Sequence, residues 1–148
     1  KDATLFNSGI SIGVRESRKI IGKHVLNVDE VKNCVKFEDR IAAGNYDIDI
    51  HSPDGSGTSH YYFPEGQYYT IPYRSLLPEK VNNLLVAGRC ISSTHEAQAS
   101  YRIMPIVSAL GQAAGVAAGV ANNADIDVAD ADYKVIQEEL LKAGAFIG

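Results

Sequence analysis

Alternating hydrophobic and polar positions predict a β-hairpin near the middle of the chain. Residues 46–51, YDIDIH, alternate apolar and polar side chains, SPDGSG follows with turn-forming residues, and TSHYYFP resumes a β-rich run. Two alternating runs joined by Gly, Pro, Asp and Ser are typical of a hairpin. The next segment, GQYYTIPYRSLLP, predicts another extended stretch that two prolines interrupt. Residues 27–44 predict a short helix or two.

The second half of the chain predicts a buried strand followed by helices. VNNLLVAGR, residues 81–89, carries the continuous apolar run of a strand that is buried on both faces, as in parallel sheets. A helix begins near Pro105, because proline suits the first turn. The last helix lies within ADYKVIQEELLKAG, which Asp130 or Asp132 can cap and Gly144 can end.

The predicted helix after Pro105 consists mostly of small residues. Its uncharged run, residues 103–121, carries Gly111, Gly115 and Gly119 at intervals of four. Length alone permits a membrane span, but the run is rich in Ala and Gly, and no aromatic belt or basic flank defines its far end. Each helical glycine costs about 0.5–1 kcal/mol relative to alanine. We therefore expect a helix in a soluble protein whose glycines permit close packing against another backbone.

Composition and charge exclude several classes of protein. The 148 residues are 45% hydrophobic, which suffices for one core. The net charge of −4, with scattered basic residues, argues against a nucleic-acid surface. Cys34 and Cys90 lack zinc-ligand spacing and form no disulfide framework, so we expect no metal site and a cytoplasmic location. The opening KDATLFNSGISIG has no signal segment, and we interpret the chain as a fragment.

Several polar residues near the predicted strand end have more than one interpretation. Cys90 and His95 lie beside Ser92 and Ser93, but no GxSxG elbow surrounds them, so nucleophilic catalysis has little support. His95 with Glu96 fits a substrate pocket or a solvated loop, and the sequence leaves both open.

Residues 69–121 have the sequence YTIPYRSLLPEKVNNLLVAGRCISSTHEAQASYRIMPIVSALGQAAGVAAGVA. This segment resembles the C-terminal part of FAD-dependent oxidoreductases of the two-dinucleotide-binding-domains flavoprotein group. RESRKIIGKHVLNVDEV and AAGNYDIDIH also resemble that family, so the similarity covers residues 13–145. In such enzymes an N-terminal βαβ unit with a GxGxxG loop holds the FAD pyrophosphate, and the chain returns after an inserted substrate domain. No GxGxxG occurs in this sequence, since DGSGTSH lacks the third glycine.

The resemblance implies an α/β fold with two partial units. Residues 81–148 would be the C-terminal segment of a discontinuous, Rossmann-like FAD-binding domain, and residues 1–80 a β-rich, C-terminal part of the substrate domain. The implied function is hydride transfer between a small-molecule substrate and FAD. The implied partner is the N-terminal half of the same protein, and we expect binding to neither a nucleic acid nor a membrane. The alternative is a noncatalytic binding or interaction domain that holds no flavin.

The resemblance also implies a cofactor site. The predicted strand Leu84–Ala87 would bring Gly88 to a sheet edge, where its backbone can approach FAD, while Arg89 takes a position where many flavoproteins carry Asp. The helix from Pro105 would point its N-terminus at the flavin pyrimidine edge, where negative charge accumulates on reduction. The predicted cofactor-binding residues are Gly88, Arg89, Ile91, Arg102, Met104, Pro105, Ile106 and Gly111.

Further residues are implied on the substrate side and on the packing face of the helix. Arg15 and Arg18 suit a substrate carboxylate or the flavin edge, although surface ion pairs with acids such as Glu16 explain them equally well. No catalytic residue is predicted. The substrate candidates are Arg15, Arg18, His51 and His95, and the face expected to meet the glycine-loop helix of the N-terminal half comprises Gly111, Ala114, Gly115 and Ala118.

Overall fold

The chain is a mixed α/β protein, as predicted. The computed structural model describes residue 4, residues 6–51 and residues 57–148, with only the backbone described at residue 51. Short 3-10 helices also occur at Tyr73–Leu76 and Val128–Asp130. The elements of the described residues are, in chain order, α1 (Val28–Lys32), β1 (Arg40–Gly44), β2 (Ile48–His51), β3 (Thr58–Tyr61), β4 (Tyr69–Pro72), α2 (His95–Tyr101), α3 (Met104–Ala124) and α4 (Tyr133–Lys142).

The described strands form two antiparallel pairs. β1 pairs with β4, so that Gly44 lies opposite Tyr69. β2 pairs with β3, with Ile48 opposite Tyr61, which confirms the predicted hairpin. Residues 52–56 of the predicted turn lie outside the described part of the chain. β4 confirms the extended segment, which passes into a 3-10 helix directly after Pro72.

The predicted strand at residues 84–87 is wrong, because this segment is irregular. The Val86 N–H donates to the Leu76 carbonyl at 2.9 Å, but a strand needs a ladder of such bonds, and no strand of the described residues runs beside it. Leu84 is 43% exposed, so the apolar run is not buried on both faces. Here the continuous apolar run does not indicate a buried strand.

The core lies where the β1–β4 sheet meets α3 and α4. α3 buries Ile106 and Leu110 together with alanines one and two turns further on, and α4 buries Ile136 and Leu140. β1 contacts both helices, so elements from either side of residue 80 share one core. The domain boundary at residue 80 stays a prediction.

Helix ends follow the local sequence. α3 begins at Met104 with Pro105 in its first turn, as predicted, and no side chain caps its N-terminus. The Asp132 carboxylate accepts from the Lys134 N–H at 2.9 Å, so Asp132 rather than Asp130 caps α4. Gly144 follows α4 with φ +78°, the conformation that favours glycine after a helix.

One side of α3 is uncovered by the described residues. A Cβ added to Gly111, Gly115 or Gly119 would meet no atom within 4 Å. A groove of about 740 Å³ lies beside it, between residues 83–85 and 125–128. α3 is long and apolar enough to cross a membrane by length and composition, and 28% of its apolar window is buried. We call this side the outward face of α3; its exposed residues are Ser108, Gly111, Gly115, Ala118, Gly119 and Asn122.

Candidate functional site

Three predicted site residues from distant parts of the chain line one depression in the surface. Arg15, Arg89 and Arg102 surround a cavity of about 330 Å³, with Ile103 at its edge. A cavity of about 280 Å³ adjoins it at Arg15 and Arg89 and includes Arg18 and Gly88. Another, of about 380 Å³, shares Arg15 and Arg102 and includes His95. We call these three cavities together the arginine recess; the fold therefore brings together the predicted residues Arg15, Arg18, Gly88, Arg89, His95 and Arg102.

The helix that supports the recess, α2, was missed by the sequence prediction. Thr94 caps it, since the threonine hydroxyl accepts from the Ala97 N–H at 3.3 Å. The last five residues of α2 are all buried, and three of them carry polar side-chain atoms. Their polar atoms need partners inside the protein. These residues are Gln98, Ser100 and Tyr101.

Two of these side chains hold the backbone beneath two arginines. The Gln98 side-chain amide donates to the Arg15 carbonyl at 3.1 Å. The Tyr101 hydroxyl donates to the Arg89 carbonyl at 3.2 Å and lies 2.8 Å from the Ser93 hydroxyl, which can donate to it. Burial raises the pKa of Tyr101, so its hydroxyl stays protonated and available as a donor.

The other side of the recess is tied to α2 in the same way. The Ser100 hydroxyl donates to the Tyr46 carbonyl and lies 2.8 Å from the Tyr69 hydroxyl, which can donate in turn. Arg102, the C-cap of α2, donates from Nη2 to the Asp49 carbonyl at 3.0 Å. Every segment that lines the recess is thus hydrogen-bonded to α2 or to its C-cap.

Gly88 forms the turn at the edge of the recess. Its φ of +116° lies in the region that favours glycine, and a Cβ there would meet no atom within 4 Å. The turn rests on segments 20–22, 75–77 and 90–92, which we call the floor of the Gly88 turn. The Ile20 N–H donates to the Cys90 carbonyl, and the Ser92 N–H to the Ser75 carbonyl, each at 3.0 Å.

The charges of the recess leave a positive surplus. Among the described residues, the Arg15 and Arg89 guanidinium groups have no acidic partner. Arg102 lies 3.5 Å from the Asp49 carboxylate. The described residues contain no group of three or more His, Cys, Asp or Glu that could hold a metal ion. An anion is therefore the ligand that this surface favours.

The one acid near Arg15 in sequence is engaged elsewhere. Glu16 forms an ion pair with Lys19 and a hydrogen bond with His95. Partial burial raises the pKa of Glu16, but the hydrogen bonds from Lys19 and His95 outweigh it, so that the pKa lies below its ordinary value. The Glu16 carboxylate stays ionised and forms no ion pair with Arg15, although both residues line the cavity next to Gly88.

The remaining predicted residues lie in different environments. Met104 and Pro105 are exposed at the start of α3, next to Ile103 at the recess edge. The side chains of Ile91 and Ile106 are buried in the core, so any contact they make with a ligand would be through the backbone. Gly111 lies on the outward face of α3, and the side chain of His51 lies outside the described residues.

Some residues of the site carried only a weak signal in the sequence. Thr94 followed by Glu96 is a helix-start pattern that could have predicted α2. Its buried residues, however, are Ala, Gln, Ser and Tyr, and a periodic apolar stripe is absent. Tyr46 and Asp49 belong to the hairpin, and their place in the recess depends on how the hairpin packs against α2.

Comparison with known proteins agrees with the resemblance. No curated protein and no solved structure matches the chain. The family model described as FAD dependent oxidoreductase matches residues 1–140, which include all residues named above as lining the recess. This match covers most of the 148 residues. The chain belongs to the FAD dependent oxidoreductase family, and its cofactor is FAD.

Proposed function

We propose that this chain supplies part of the FAD site and part of the substrate site of an enzyme that transfers a hydride between a small molecule and flavin. The observation that carries the proposal is the arginine recess, where residues predicted for the cofactor, Gly88 and Arg89, lie beside residues predicted for the substrate, Arg15 and His95. When bound, FAD supplies the centre that accepts or donates the hydride, while the protein supplies orientation and electrostatics.

The residues around Gly88 fit FAD. The positive φ and the open space over Gly88 let a planar or charged group approach the backbone. Arg89 offers a guanidinium without an acidic partner among the described residues, which suits the negative groups of the cofactor. The first turn of α3 borders the recess through Ile103 and has no side-chain cap, so its N–H groups and positive dipole end favour negative charge.

The outward face of α3 supports a partner for this site. We propose that the N-terminal half of the protein carries the GxGxxG unit and packs its glycine-loop helix against this face. The open space at the glycines and the groove beside them leave room for a closely approaching helix. Insertion of α3 into a membrane is the competing outcome, and it predicts detergent-dependent extraction of the full-length protein instead of a soluble complex with FAD.

We also place the enzyme in the cytoplasm and expect this chain alone to be inactive. Cys34 and Cys90 are both free thiols, which suits a reducing compartment. The proposed Rossmann-like FAD-binding domain needs a glycine loop for the pyrophosphate, and the sequence of this chain has none.

FAD retention by the full-length protein tests the proposal. Flavin absorbance per polypeptide after gel filtration should show bound FAD in the wild type. Arg89→Ala should weaken FAD binding by about tenfold or more, because a charge-assisted hydrogen bond is lost. Lys80→Ala removes the same charge from an exposed position outside the recess and should retain FAD. A wild-type protein without flavin would contradict the proposal and favour a noncatalytic domain.

A further inference from the structure

We propose that the substrate is a small organic acid, whose carboxylate is bound by Arg15 and Arg102. This inference rests on the proposed function, since it assigns a substrate class to the same site. The cavity that carries it is the part of the arginine recess of about 380 Å³. This volume lies toward the lower end of the range for small-molecule sites, about 300–1,000 Å³. It is lined by Arg15, Asp49, Ile50, His95, Ala99 and Arg102.

The lining of this cavity combines positive charge with an apolar wall. Arg15 and Arg102 supply two guanidinium groups, while Ile50 and Ala99 supply aliphatic surface. An inorganic anion would use only the charges. A carboxylate attached to a short carbon skeleton would use both, since its apolar part is removed from water against the aliphatic side chains.

The two guanidinium groups have donors to spare. Arg102 donates to Asp49 from Nη2, and its Nε and Nη1 have no acceptor among the described residues. Arg15 has no acidic partner among them. A planar guanidinium presents paired N–H donors whose spacing matches the two oxygens of a carboxylate. Asp49 offsets one positive charge, so the pair of arginines keeps a net charge that favours an anion.

Both arginines are anchored to the same helix. The backbone of Arg15 accepts a hydrogen bond from Gln98, whose side chain is fully buried. Arg102 is the C-cap of α2, and its side chain is 15% exposed. The helix therefore fixes the backbone of Arg15 and, through its C-cap, the position of Arg102, while the Arg15 side chain itself is exposed. The held Arg102 guanidinium gives the cavity one preorganised donor group, and the fixed Arg15 backbone places the second arginine at its edge.

The proposed substrate cavity is separable from the proposed cofactor contact. Arg89 and Gly88 line the neighbouring cavities and are absent from the lining of this one. Arg15 lines all three cavities, so the FAD content of each Arg15 variant is measured beside its affinity for acids. Lys80 is exposed and lies outside the recess, which makes it the control position for loss of a positive charge.

Isothermal titration calorimetry of the full-length, FAD-loaded protein tests the inference. Acetate, lactate and succinate are titrated beside their neutral amides and beside inorganic phosphate. We expect at least one acid to bind about tenfold or more tightly than its amide and than phosphate, because only the acid offers both a carboxylate and a carbon chain. Arg15→Gln and Arg102→Gln should each weaken that acid by about tenfold at unchanged FAD content, and Lys80→Gln should leave its affinity unchanged.

Three results would overturn the inference. The first is that no acid binds better than its amide. The second is that Arg15→Gln leaves acid affinity unchanged. The third is that Arg15→Gln releases FAD instead, which would assign the guanidinium to the cofactor and leave the proposed function standing. A wild-type protein that binds the acids but holds no FAD would contradict the proposed function alone.

Discussion

The floor of the Gly88 turn and the outward face of α3 both depend on glycine, but for different reasons. A Cβ on Gly22 would lie 2.8 Å from the Ser92 Cβ and 3.0 Å from the Leu77 carbonyl oxygen. A Cβ on Gly115 would meet nothing within 4 Å. Glycine at residue 22 is thus required by contacts inside this chain, whereas the described residues give no reason for glycine at residue 115. The floor is complete in this chain, and the outward face of α3 is the part that fits an additional partner.

Leucine introduced at each of these two glycines in the 148-residue chain should give very different results, with the larger effect at Gly22. Gly22→Leu should lower the free energy of unfolding by about 1–3 kcal/mol or more, because the side chain overpacks against backbone. Gly115→Leu should be neutral, or stabilising by up to about 1 kcal/mol through helix propensity. Urea denaturation monitored by circular dichroism measures both.

The same two variants should behave differently in the full-length protein, where the proposed helix partner is present. There Gly115→Leu should also lower the melting temperature and release FAD, since the added side chain would block the proposed helix partner. Equal destabilisation by Gly115→Leu in both proteins would mean that the close contact lies within this chain. In that case the outward face of α3 would not be a docking surface.

A smaller effect is expected where α2 supports the Gly88 turn. Tyr101→Phe removes the hydroxyl that donates to the Arg89 carbonyl, and it should cost about 0.5–1.5 kcal/mol of unfolding free energy. Tyr62→Phe, at a position 67% exposed, serves as the control and should have almost no effect. Equal stability of the two variants in urea would show that the hydroxyl does not hold the turn.

A further effect, absent near neutral pH, is a loss of stability at the alkaline end. Burial raises the pKa of Tyr73 to about 12, and it also raises the pKa values of Tyr69 and Tyr101. In the unfolded chain these hydroxyls titrate near pH 10. Their contribution to stability is therefore fully present below about pH 10 and is lost as the pH rises toward the folded-state values. Ultraviolet titration should show Tyr73 ionising above pH 10, and Tyr73→Phe should remove that step.

Much of the fold could be predicted because local signals were strong. The alternation around Ile48 and the turn residues after it determined the hairpin, and Pro105 with a long run of small residues determined α3. The prediction of a strand at residues 84–87 was wrong because a continuous apolar run indicates burial only when other elements cover both of its faces. The sequence of the run does not show which elements pack against it. The helix α2 was not predicted because its buried residues, among them Ala and Gln, do not repeat apolar side chains at helical spacing.

The candidate site was predictable in its parts but not in its arrangement. Arg15 and Arg89 were singled out through resemblance and through the chemistry of the guanidinium group. Their meeting with Arg102 depends on the tertiary packing of α2, which no local pattern encodes. The hydrogen bonds from Gln98 and Tyr101 to backbone carbonyls were equally hidden, because any polar residue type can make such contacts.

The outward face of α3 has a consequence for how specifically the chain can choose a neighbour. Glycine and alanine remove little apolar area from water when another protein covers them. The hydrophobic effect, at about 25 cal/mol per Å², therefore contributes little free energy to nonspecific binding at this surface. Attraction becomes strong only where another backbone comes close enough for many dispersion contacts at once. A helix with one bulky side chain at the crossing point would be held away. The proposed helix partner would therefore be selected by its shape and not by general hydrophobicity.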